Sequence, residues 1–303
     1  MKIGWVGAGL MGGPMVARLL DAGYDIALYT RSGLLPESLA EARSGLEVVA
    51  SLGELARRSD AVFTILGGPQ DVLDVYLSPG GVIPHMQTGA VLVDLTTSSV
   101  EVAERVAAAA AERGGWALDA PVSGGPFGAE SGTLSIMVGG QAQALESVRE
   151  VLAILGNAIV HHGGTGTGQC AKLVNQLVVA SVTEACAEAF LLGRQAGLDI
   201  GKVAESLAAG AAGSPLSRFV LDRLDRGDQS PGFKIAHLRK DLELVLAEGT
   251  RLGVPLPLAV LARDATQEVE RRLGGEVGTQ MLGFRLGSGI AAPVAETSGR
   301  GLA

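Results

Sequence analysis

Short apolar runs alternate with amphipathic stretches along the first half of the chain. Stretches with helical periodicity, such as 99–114, separate most of these runs. Strands that alternate with helices predict an α/β fold with a doubly wound, mostly parallel sheet covered on both faces. The runs of strand length are 2–7 KIGWVG, 24–30 YDIALYT, 46–50 LEVVA, 60–66 DAVFTIL, 90–95 AVLVDL, 116–119 WALD, 133–140 TLSIMVGG and 157–162 NAIVHH.

The second half of the chain has a different pattern. After Gly168 the strand signals stop, and long helical periods follow over 169–195, within 200–226, and over 233–252 and 257–273. The first of these would span about 40 Å at 1.5 Å per residue. We therefore predict a doubly wound domain at 1–162, an all-helical domain at 163–285 that opens with a long interdomain helix, and a flexible tail at 286–303, which has no periodicity.

A glycine motif follows the first predicted strand. Gly7, Gly9 and Gly12 have the G-x-G-x-x-G spacing and stand between that strand and a helix. In a Rossmann-type domain the first glycine makes a tight turn, the second lets the backbone approach a pyrophosphate, and the third lets helix and strand pack closely. The context favours dinucleotide binding over a purely structural turn.

The end of the second predicted strand bears on the choice of cofactor. An enzyme for NAD usually has an acidic residue there to bind the ribose hydroxyls, whereas a 2′-phosphate requires positive charge and small donors. Here the strand is followed by Arg31 and Ser32. These residues favour NADP, with NAD still possible, and the alternative is an ordinary solvated arginine on a loop.

Composition limits the range of partners and settings. The chain has 303 residues, 47% of them hydrophobic, and a formal net charge of −8, so no basic stripe is available for nucleic acid. Cys170 and Cys186 fall on one predicted helix about 24 Å apart, too far to pair within the chain. The Gly-rich N-terminus does not resemble a signal peptide, and we expect a cytoplasmic protein that does not bind membranes.

Lys172 lies near the start of the long, apolar predicted helix, with Asn175 and Gln176 on the same face. The helix macrodipole and partial burial both disfavour an ammonium group there and lower the pKa of a lysine from about 10.4. Only five of the 24 basic residues are lysines. Arginine cannot deprotonate, so a lysine in a chain that otherwise uses arginine indicates a need for proton transfer. This favours a catalytic Lys172 over a lysine that merely extends to solvent at a helix end.

The segment 119–125, DAPVSGG, resembles a strand end followed by a glycine-rich turn. Ser123, Gly124 and Gly125 offer a hydroxyl and successive backbone N–H groups, a combination that suits a carboxylate. From the residues alone, a plain glycine-rich turn is an equal alternative.

Four ordered motifs resemble those of the β-hydroxyacid dehydrogenase family, which includes 3-hydroxyisobutyrate dehydrogenases, tartronate semialdehyde reductases and glyoxylate or succinic semialdehyde reductases. The resemblance covers about residues 1–285, with departures such as Leu66-Gly67-Gly68-Pro69 where many members have a Met-Leu-Pro turn. Retention of Lys172 argues against the related imine reductases. The motifs are GLMGGPM, DAPVSGG, GGTGTGQCAKLVNQ and FKIAHLRKDLEL.

The resemblance implies a role for each matching residue. Lys172 would be the catalytic acid/base, and Ser123, Gly124, Gly125 and Asn175 would hold the substrate carboxylate and the reacting oxygen. Thr96 would meet the nicotinamide ribose, and Lys240 would lie beside nicotinamide and substrate. Independently, Phe233, His237 and Lys240 share a face of the predicted helix 233–252, where His237 is assigned to packing or to the support of neighbouring site residues instead of catalysis. The remaining cofactor contacts are assigned to Gly7, Ala8, Gly9, Leu10, Met11, Gly12 and Leu66.

These observations predict an NADP-preferring oxidoreductase for a small 3-hydroxy acid or semialdehyde carboxylate. A decarboxylating enzyme of the 6-phosphogluconate dehydrogenase type would need a longer helical domain, and a metal enzyme is disfavoured because the four histidines lack ligand spacing. The alternative from another class is a nucleotide sensor or scaffold of the same fold. The apolar helix at 169–195 further predicts a homodimer or homotetramer, because one short domain covers only part of its surface.

Overall fold

A computed structural model of the chain describes residues 1–31, 33–36, 39 and 44–286, without the side chains of 285 and 286. The chain divides into two compact units, Met1–Asn175 and Gln176–Ala303. Ser32 and residues 287–303 of the predicted tail lie outside the described residues. The division falls inside one continuous helix, whereas the sequence pattern places the boundary at 162/163.

The first unit contains a nine-stranded sheet with helices on both faces. Its strands are β1 Ile3–Val6, β2 Ile26–Tyr29, β3 Leu46–Val48, β4 Ala61–Thr64, β5 Val91–Asp94, β6 Trp116–Asp119, β7 Val122–Ser123, β8 Leu134–Gly139 and β9 Gly156–Gly163. Its helices are α1 Gly12–Asp21, α2 Leu52–Arg58, α3 Pro69–Leu77, α4 Val100–Glu112, α5 Gly125–Ser131 and α6 Ala142–Leu155, with a 3₁₀ turn at Ile83–His85.

The strand order confirms the predicted doubly wound sheet. It runs β3-β2-β1-β4-β5-β6-β8-β7, with β9 paired to β8. Neighbours from β3 to β6 are parallel, β8 runs antiparallel to β6, and β9 is parallel to β8. The chain reverses its winding direction between β1 and β4, and this is the point where open α/β sheets bind ligands, beyond the carboxyl ends of the strands.

Alternating residues of the buried strands build a separate core on each face. Trp5 and Phe63 from β1 and β4 stack with ring centroids 5.8 Å apart in one core, together with α1 and α6. Val6 and Val62, their neighbours in sequence, lie in the other core with α2, α3 and α4. Burial on both faces explains why these strands read as nearly continuous apolar runs.

The second unit is helical, as predicted. The helix α7 begins in the first unit. Its length, and one 18-residue window with a mean hydropathy of 1.3, would also fit a membrane span, a test that core helices of soluble proteins equally pass. Val174, Val178 and Leu192 of α7 are exposed, and the oligomer stays a prediction. The helices are α7 Thr167–Gln195, α8 Ile200–Ala209, α9 Pro215–Arg226, α10 Ile235–Leu252 and α11 Pro257–Leu273, followed by a 3₁₀ segment at Thr279–Leu286.

One sequence-based assignment in this unit is wrong. Phe233 precedes α10 instead of sharing a helix face with His237 and Lys240, because the backbone before the helix pairs with a later segment. Lys234 forms a β-bridge with Gly278, and the carbonyl of Phe233 accepts a hydrogen bond from the N–H of Thr279. These bonds keep the chain extended until Ile235.

Candidate active site

The three motif glycines form a tight turn between β1 and α1. Gly7 has φ +96°, and a Cβ there would lie 2.2 Å from the carbonyl oxygen of Ile65. A Cβ on Gly12 would lie 2.0 Å from the carbonyl oxygen of Gly7. By contrast, a Cβ on Gly9 would meet no atom of the described chain within 4 Å. Two glycines are therefore required by packing, while the open space at Gly9 permits close approach of a pyrophosphate.

The start of α1 is suited to an anion. None of the side chains that the structure describes caps this helix at Met11, and its first turn contains no acidic residue. Leu10, just before this helix, is 60% exposed. The backbone N–H groups of a helix N-terminus and the positive end of the helix dipole favour phosphate binding here. The residues present thus fit a dinucleotide.

Arg31 follows β2 and forms an ion pair that the sequence did not suggest. Its Nη1 lies 3.3 Å from Oδ1 of Asp71, in the first turn of α3. The Arg31 side chain is 88% exposed, so the pair contributes little stability and the guanidinium remains accessible to a ligand. The residue predicted to select NADP therefore shares its charge with a neighbouring carboxylate.

Thr96 lies at the carboxyl end of β5, opposite the loop after β4. Its hydroxyl accepts a hydrogen bond of 2.9 Å from the N–H of Leu66, the residue at which this chain departs from the family turn. Thr96 and Leu66, both predicted to contact cofactor, are thus brought together. Thr96 is 2% exposed, and its position is set by the bonds around it.

The buried carboxylate of Asp94 holds this loop through hydrogen bonds. Oδ1 of Asp94 accepts hydrogen bonds from the N–H of Thr96 at 3.1 Å and from the hydroxyl of Thr64 at 2.8 Å. The Thr64 hydroxyl also lies 3.0 Å from the Tyr76 hydroxyl. Burial raises the pKa of Asp94 from 3.8 to about 6, against the effect of the donors on Thr96 and Thr64. Burial and the Asp94 charge raise the pKa of Tyr76 as well.

This shift predicts a pH-dependent stability. The native state holds the Asp94 proton more tightly than the unfolded chain does. The contribution of Asp94 to the free energy of unfolding is therefore full below pH 3.8 and is lost as the pH rises through about 6. Asp94→Asn keeps an accepting oxygen but cannot ionise. Relative to wild type, this variant should gain on the order of 3 kcal/mol between pH 4 and pH 7.5, since one pKa unit is about 1.4 kcal/mol.

Urea unfolding of both proteins across this pH range measures the difference. The matched control is Asp74→Asn, which changes an exposed acid on α3. Its free energy of unfolding should follow that of wild type at every pH. A difference between Asp94→Asn and wild type that stays constant with pH would contradict the prediction.

The carboxylate of Asp119, at the end of β6, binds the start of α7. Its two oxygens accept hydrogen bonds of 2.8 Å each, Oδ1 from the N–H of Gly166 and Oδ2 from the N–H of Gln169. Burial raises the pKa of Asp119, and these backbone donors oppose the effect. A carboxylate at a helix N-terminus satisfies orphan N–H groups and complements the dipole. Asp119 therefore ties α7 to the carboxyl edge of the sheet.

Lys172 lies in the second turn of α7, one turn beyond Gln169. It is 6% exposed, so burial of the lysine is confirmed, while Asn175 is half-buried one turn further on. The helix macrodipole disfavours the Lys172 ammonium group less than the sequence indicated, because α7 begins at Thr167 instead of residue 169 and the dipole effect is concentrated in the first turn. Burial, together with the Asp119 anchor, remains the reason why this lysine is unusual.

Ser123, Gly124 and Gly125 lie at the junction between a short strand and a helix. Ser123 belongs to the two-residue strand β7 and pairs with Ser135. Gly124 and Gly125 have φ +136° and +63°, and α5 begins at Gly125. The strand β6 ends at Asp119, as the run 116–119 predicted, and β7 follows at Val122–Ser123. Positive φ at two successive positions explains why glycine is required here.

Lys240 belongs to the second unit, where it lies on α10. Its Nζ is 2.9 Å from Oδ1 of Asp241, whose Oδ2 accepts a hydrogen bond of 2.6 Å from Nε2 of Gln176. Asp241 is 2% exposed. The ring of His237 lies beside that of Phe233, with centroids 6.3 Å apart. Within this unit, a buried carboxylate thus orients the ammonium group of Lys240.

The fold and the glycine turn define a nicotinamide-dinucleotide-dependent oxidoreductase with a doubly wound domain and a helical domain. Residues 2–164 match the family model described as the NAD binding domain of 6-phosphogluconate dehydrogenase. Residues 166–283 match the model described as NAD-binding of NADP-dependent 3-hydroxyisobutyrate dehydrogenase. The chain belongs to the β-hydroxyacid dehydrogenase family, as its motifs predicted.

Individual relatives agree with this assignment. A protein of Arabidopsis thaliana named probable 3-hydroxyisobutyrate dehydrogenase-like 1, mitochondrial, is 38% identical over 93% of this chain and 84% of its own. The 2-hydroxy-3-oxopropionate reductase of Escherichia coli is 37% identical over 85% and 87%. The solved 3-hydroxyisobutyrate dehydrogenase of Mycobacterium tuberculosis superposes with a TM-score of 0.84 at 29% identity, covering 94% and 98% of the two chains. An NAD(P)-dependent hydroxyacid dehydrogenase activity follows.

Sequence reasoning missed the buried polar residues that support the site. Asp94 and Asp119 end two neighbouring parallel strands. Acidic residues at the ends of adjacent strands could have indicated that both belong to the site. Gln169 stands three residues before Lys172 and therefore on the same helix face. Asp71 gave no signal, because its pairing with Arg31 joins segments that are distant in sequence.

Proposed function

We propose that the protein is an NADP-preferring dehydrogenase or reductase for a small carboxylate that carries a hydroxyl or aldehyde on the carbon β to the carboxyl carbon. The burial of Lys172, one helical turn from the anchored start of α7, is the observation that carries this proposal. The names of relatives support the substrate class: 3-hydroxyisobutyrate and 2-hydroxy-3-oxopropionate both place the reacting carbon β to a carboxyl carbon.

The bound nicotinamide supplies or accepts the hydride, and the residues of the chain bind, orient and protonate. In reduction, the ammonium group of Lys172 donates a proton to the developing alkoxide oxygen. In oxidation, the neutral amine of Lys172 removes the hydroxyl proton. Ser123, with the backbone N–H groups of Gly124 and Gly125, binds the substrate carboxylate, and Asn175 orients the reacting oxygen.

A substrate panel tests the reaction class directly. Small semialdehydes, 3-hydroxy acids and 2-hydroxy acids are offered with NADPH or NADH and the corresponding oxidised cofactors, and the absorbance of the reduced nicotinamide is followed. We expect turnover of the 3-oxo and 3-hydroxy compounds, with a higher kcat/KM for NADP(H). Turnover confined to 2-hydroxy acids would contradict the substrate class.

Arg31 is expected to select NADP through the 2′-phosphate. Arg31→Ala should weaken NADPH binding by roughly 10-fold, the lower end of the 1.5–3 kcal/mol range for charge-assisted bonds, because the side chain is exposed. NADH binding should change little. Fluorescence titration of both reduced cofactors measures the two dissociation constants, and equal losses would refute the role of Arg31.

Asp71→Asn is the matched variant with the opposite expectation. It removes the carboxylate that lies 3.3 Å from Arg31 and would repel a 2′-phosphate bound there. NADPH affinity should rise by about two- to fivefold, since exposed charge pairs contribute below about 1 kcal/mol. NADH affinity should stay unchanged. A gain for NADH as large as that for NADPH would show that Asp71 acts on the fold and not on the phosphate.

A further inference from the structure

Gln169 is a fully buried polar residue that the proposed reaction does not use. Its side-chain exposure is 0%. The Nε2 group donates a hydrogen bond of 2.7 Å to the carbonyl oxygen of Thr96, and Oε1 accepts one of 2.9 Å from the N–H of Ser98. The backbone N–H of Gln169 donates to Asp119. One residue therefore joins the loop after β5 to the first turn of α7 and to the end of β6.

These bonds connect two parts of the proposed site. Thr96 lies on the loop that is assigned to the nicotinamide ribose, and Lys172 lies one helical turn after Gln169 on the same face. Both side-chain bonds of Gln169 join α7 to this loop. The distance between the cofactor loop and the proton donor is thus set through the amide of Gln169.

The amide of Gln169 fits both loop positions. The carbonyl of Thr96 requires a donor and the N–H of Ser98 requires an acceptor, and glutamine presents one of each at a fixed spacing. Methionine, of similar length, would leave both backbone groups buried without this partner. Glutamate would keep the bond to Ser98 but direct a lone pair at the carbonyl of Thr96 unless its carboxyl group is protonated.

We propose that Gln169 is a positioning residue that fixes the cofactor loop at Thr96 relative to Lys172, and that its amide is required for productive alignment of the proton donor. The proposal rests on the proposed role of Lys172. Because an error of about 1 Å in alignment can cost 100-fold in rate, the effect of losing the amide falls on kcat. The glycine turn and Arg31 hold the phosphates independently, so the KM for NADPH is affected less.

Gln169→Met tests the amide, and Gln280→Met is its matched control. Gln280 is 1% exposed, its Nε2 donates to the backbone carbonyls of Asp228 and Ser230, and it has no part in the proposed chemistry. Both variants remove a buried amide, so both should lose comparable stability in thermal unfolding. Gln169→Met should lower kcat by roughly 10- to 100-fold with the KM for NADPH changed by less than about threefold, whereas Gln280→Met should keep both constants.

Gln169→Glu gives a readout that a merely structural role would not produce. When protonated, the introduced carboxyl is isosteric with the amide and again donates to Thr96 while accepting from Ser98. Three charged groups are linked to this position: Asp119 accepts from the N–H of Gln169, Asp94 accepts from the N–H of Thr96, and Lys172 follows one turn later on α7. Burial and the two acids favour the protonated form, and Lys172 opposes it. The kcat of Gln169→Glu relative to Gln169→Met should therefore rise several-fold as the pH is lowered from 8 to 5.5.

Each outcome decides the proposal. A low kcat for Gln169→Met together with the acid-dependent recovery of Gln169→Glu supports it. A kcat for Gln169→Met that matches Gln280→Met, or a ratio of the two Gln169 variants that does not change with pH, overturns it. If Gln169→Met does not fold, the pH response of Gln169→Glu relative to wild type decides alone. Lys172→Ala, measured in parallel, distinguishes failure of the Gln169 proposal from failure of the proposed function. Normal turnover in Lys172→Ala would overturn the proposed function itself.

Discussion

Lys172→Ala is expected to fold, to bind NADPH and to lose at least about 100-fold in kcat, the usual scale for a positioned general acid or base. The physical reason is the loss of the group that gives and takes a proton at the reacting oxygen. The KM for NADPH should be nearly unchanged, because the glycine turn and Arg31 lie elsewhere in the first unit. Steady-state kinetics on a responsive semialdehyde, with cofactor fluorescence as the binding measurement, give both values.

Lys172→Arg separates charge from proton transfer. Arginine keeps the positive charge but cannot deprotonate, so this variant should be about as slow as Lys172→Ala in the oxidative direction. Lys202→Ala is the control, since Lys202 is an exposed lysine on α8 outside the proposed site. Turnover of Lys172→Ala within a few-fold of Lys202→Ala would withdraw the assignment of Lys172.

The sheet could be predicted from the sequence because parallel strands buried on both faces produce continuous apolar runs. Each run quoted from the first half corresponds to a strand, from β1 at Ile3–Val6 to β9 at Gly156–Gly163. The strand β7 and the helix α5 were missed because they are short and begin in a glycine-rich segment, 122–131, that has no clear period. The sequence pattern therefore misses elements where backbone geometry, and not burial, decides the structure.

Site residues could be predicted where the residue type itself indicates a function. They were missed where the function depends on contacts with distant segments. Lys172 and the motif glycines could be selected because a lysine in an apolar helix and a G-x-G-x-x-G turn are unusual in themselves. Gln169 and Asp71 are ordinary residues whose partners, Thr96 and Arg31, come from distant segments. Sequence periodicity indicates which residues are buried, but it does not indicate which backbone groups a buried side chain meets.

Gly168 brings the start of α7 into direct contact with the sheet. A Cβ at this position would lie 2.3 Å from the carbonyl oxygen of Asp119, 2.5 Å from that of Met137 and 2.7 Å from the backbone nitrogen of Gly139. All three are backbone atoms, so no side chain can rotate away to make room. The first turn of α7 must then move away from the end of β6, and the hydrogen bonds to Asp119 stretch with it.

Two effects of opposite sign decide the outcome for Gly168→Ala. Helix propensity alone favours alanine over glycine by about 1 kcal/mol. Overpacking costs about 1–3 kcal/mol when neighbours can shift, and more when only backbone is available to move. We therefore expect a net loss of about 2 kcal/mol or more, which corresponds to a fall in Tm of roughly 4–8 °C for a unit of this size.

The control is Gly164→Ala in the loop just before the helix, where a Cβ would meet no described atom within 4 Å. Its Tm should stay close to that of wild type. Because Gln169 and Lys172 follow Gly168 on α7, the displaced first turn should also lower kcat in Gly168→Ala, even at temperatures where that variant is fully folded. Calorimetry and kinetics on the two variants measure both effects. An alanine at 168 that raises the Tm would show that propensity outweighs the contact and that the start of α7 is free to move.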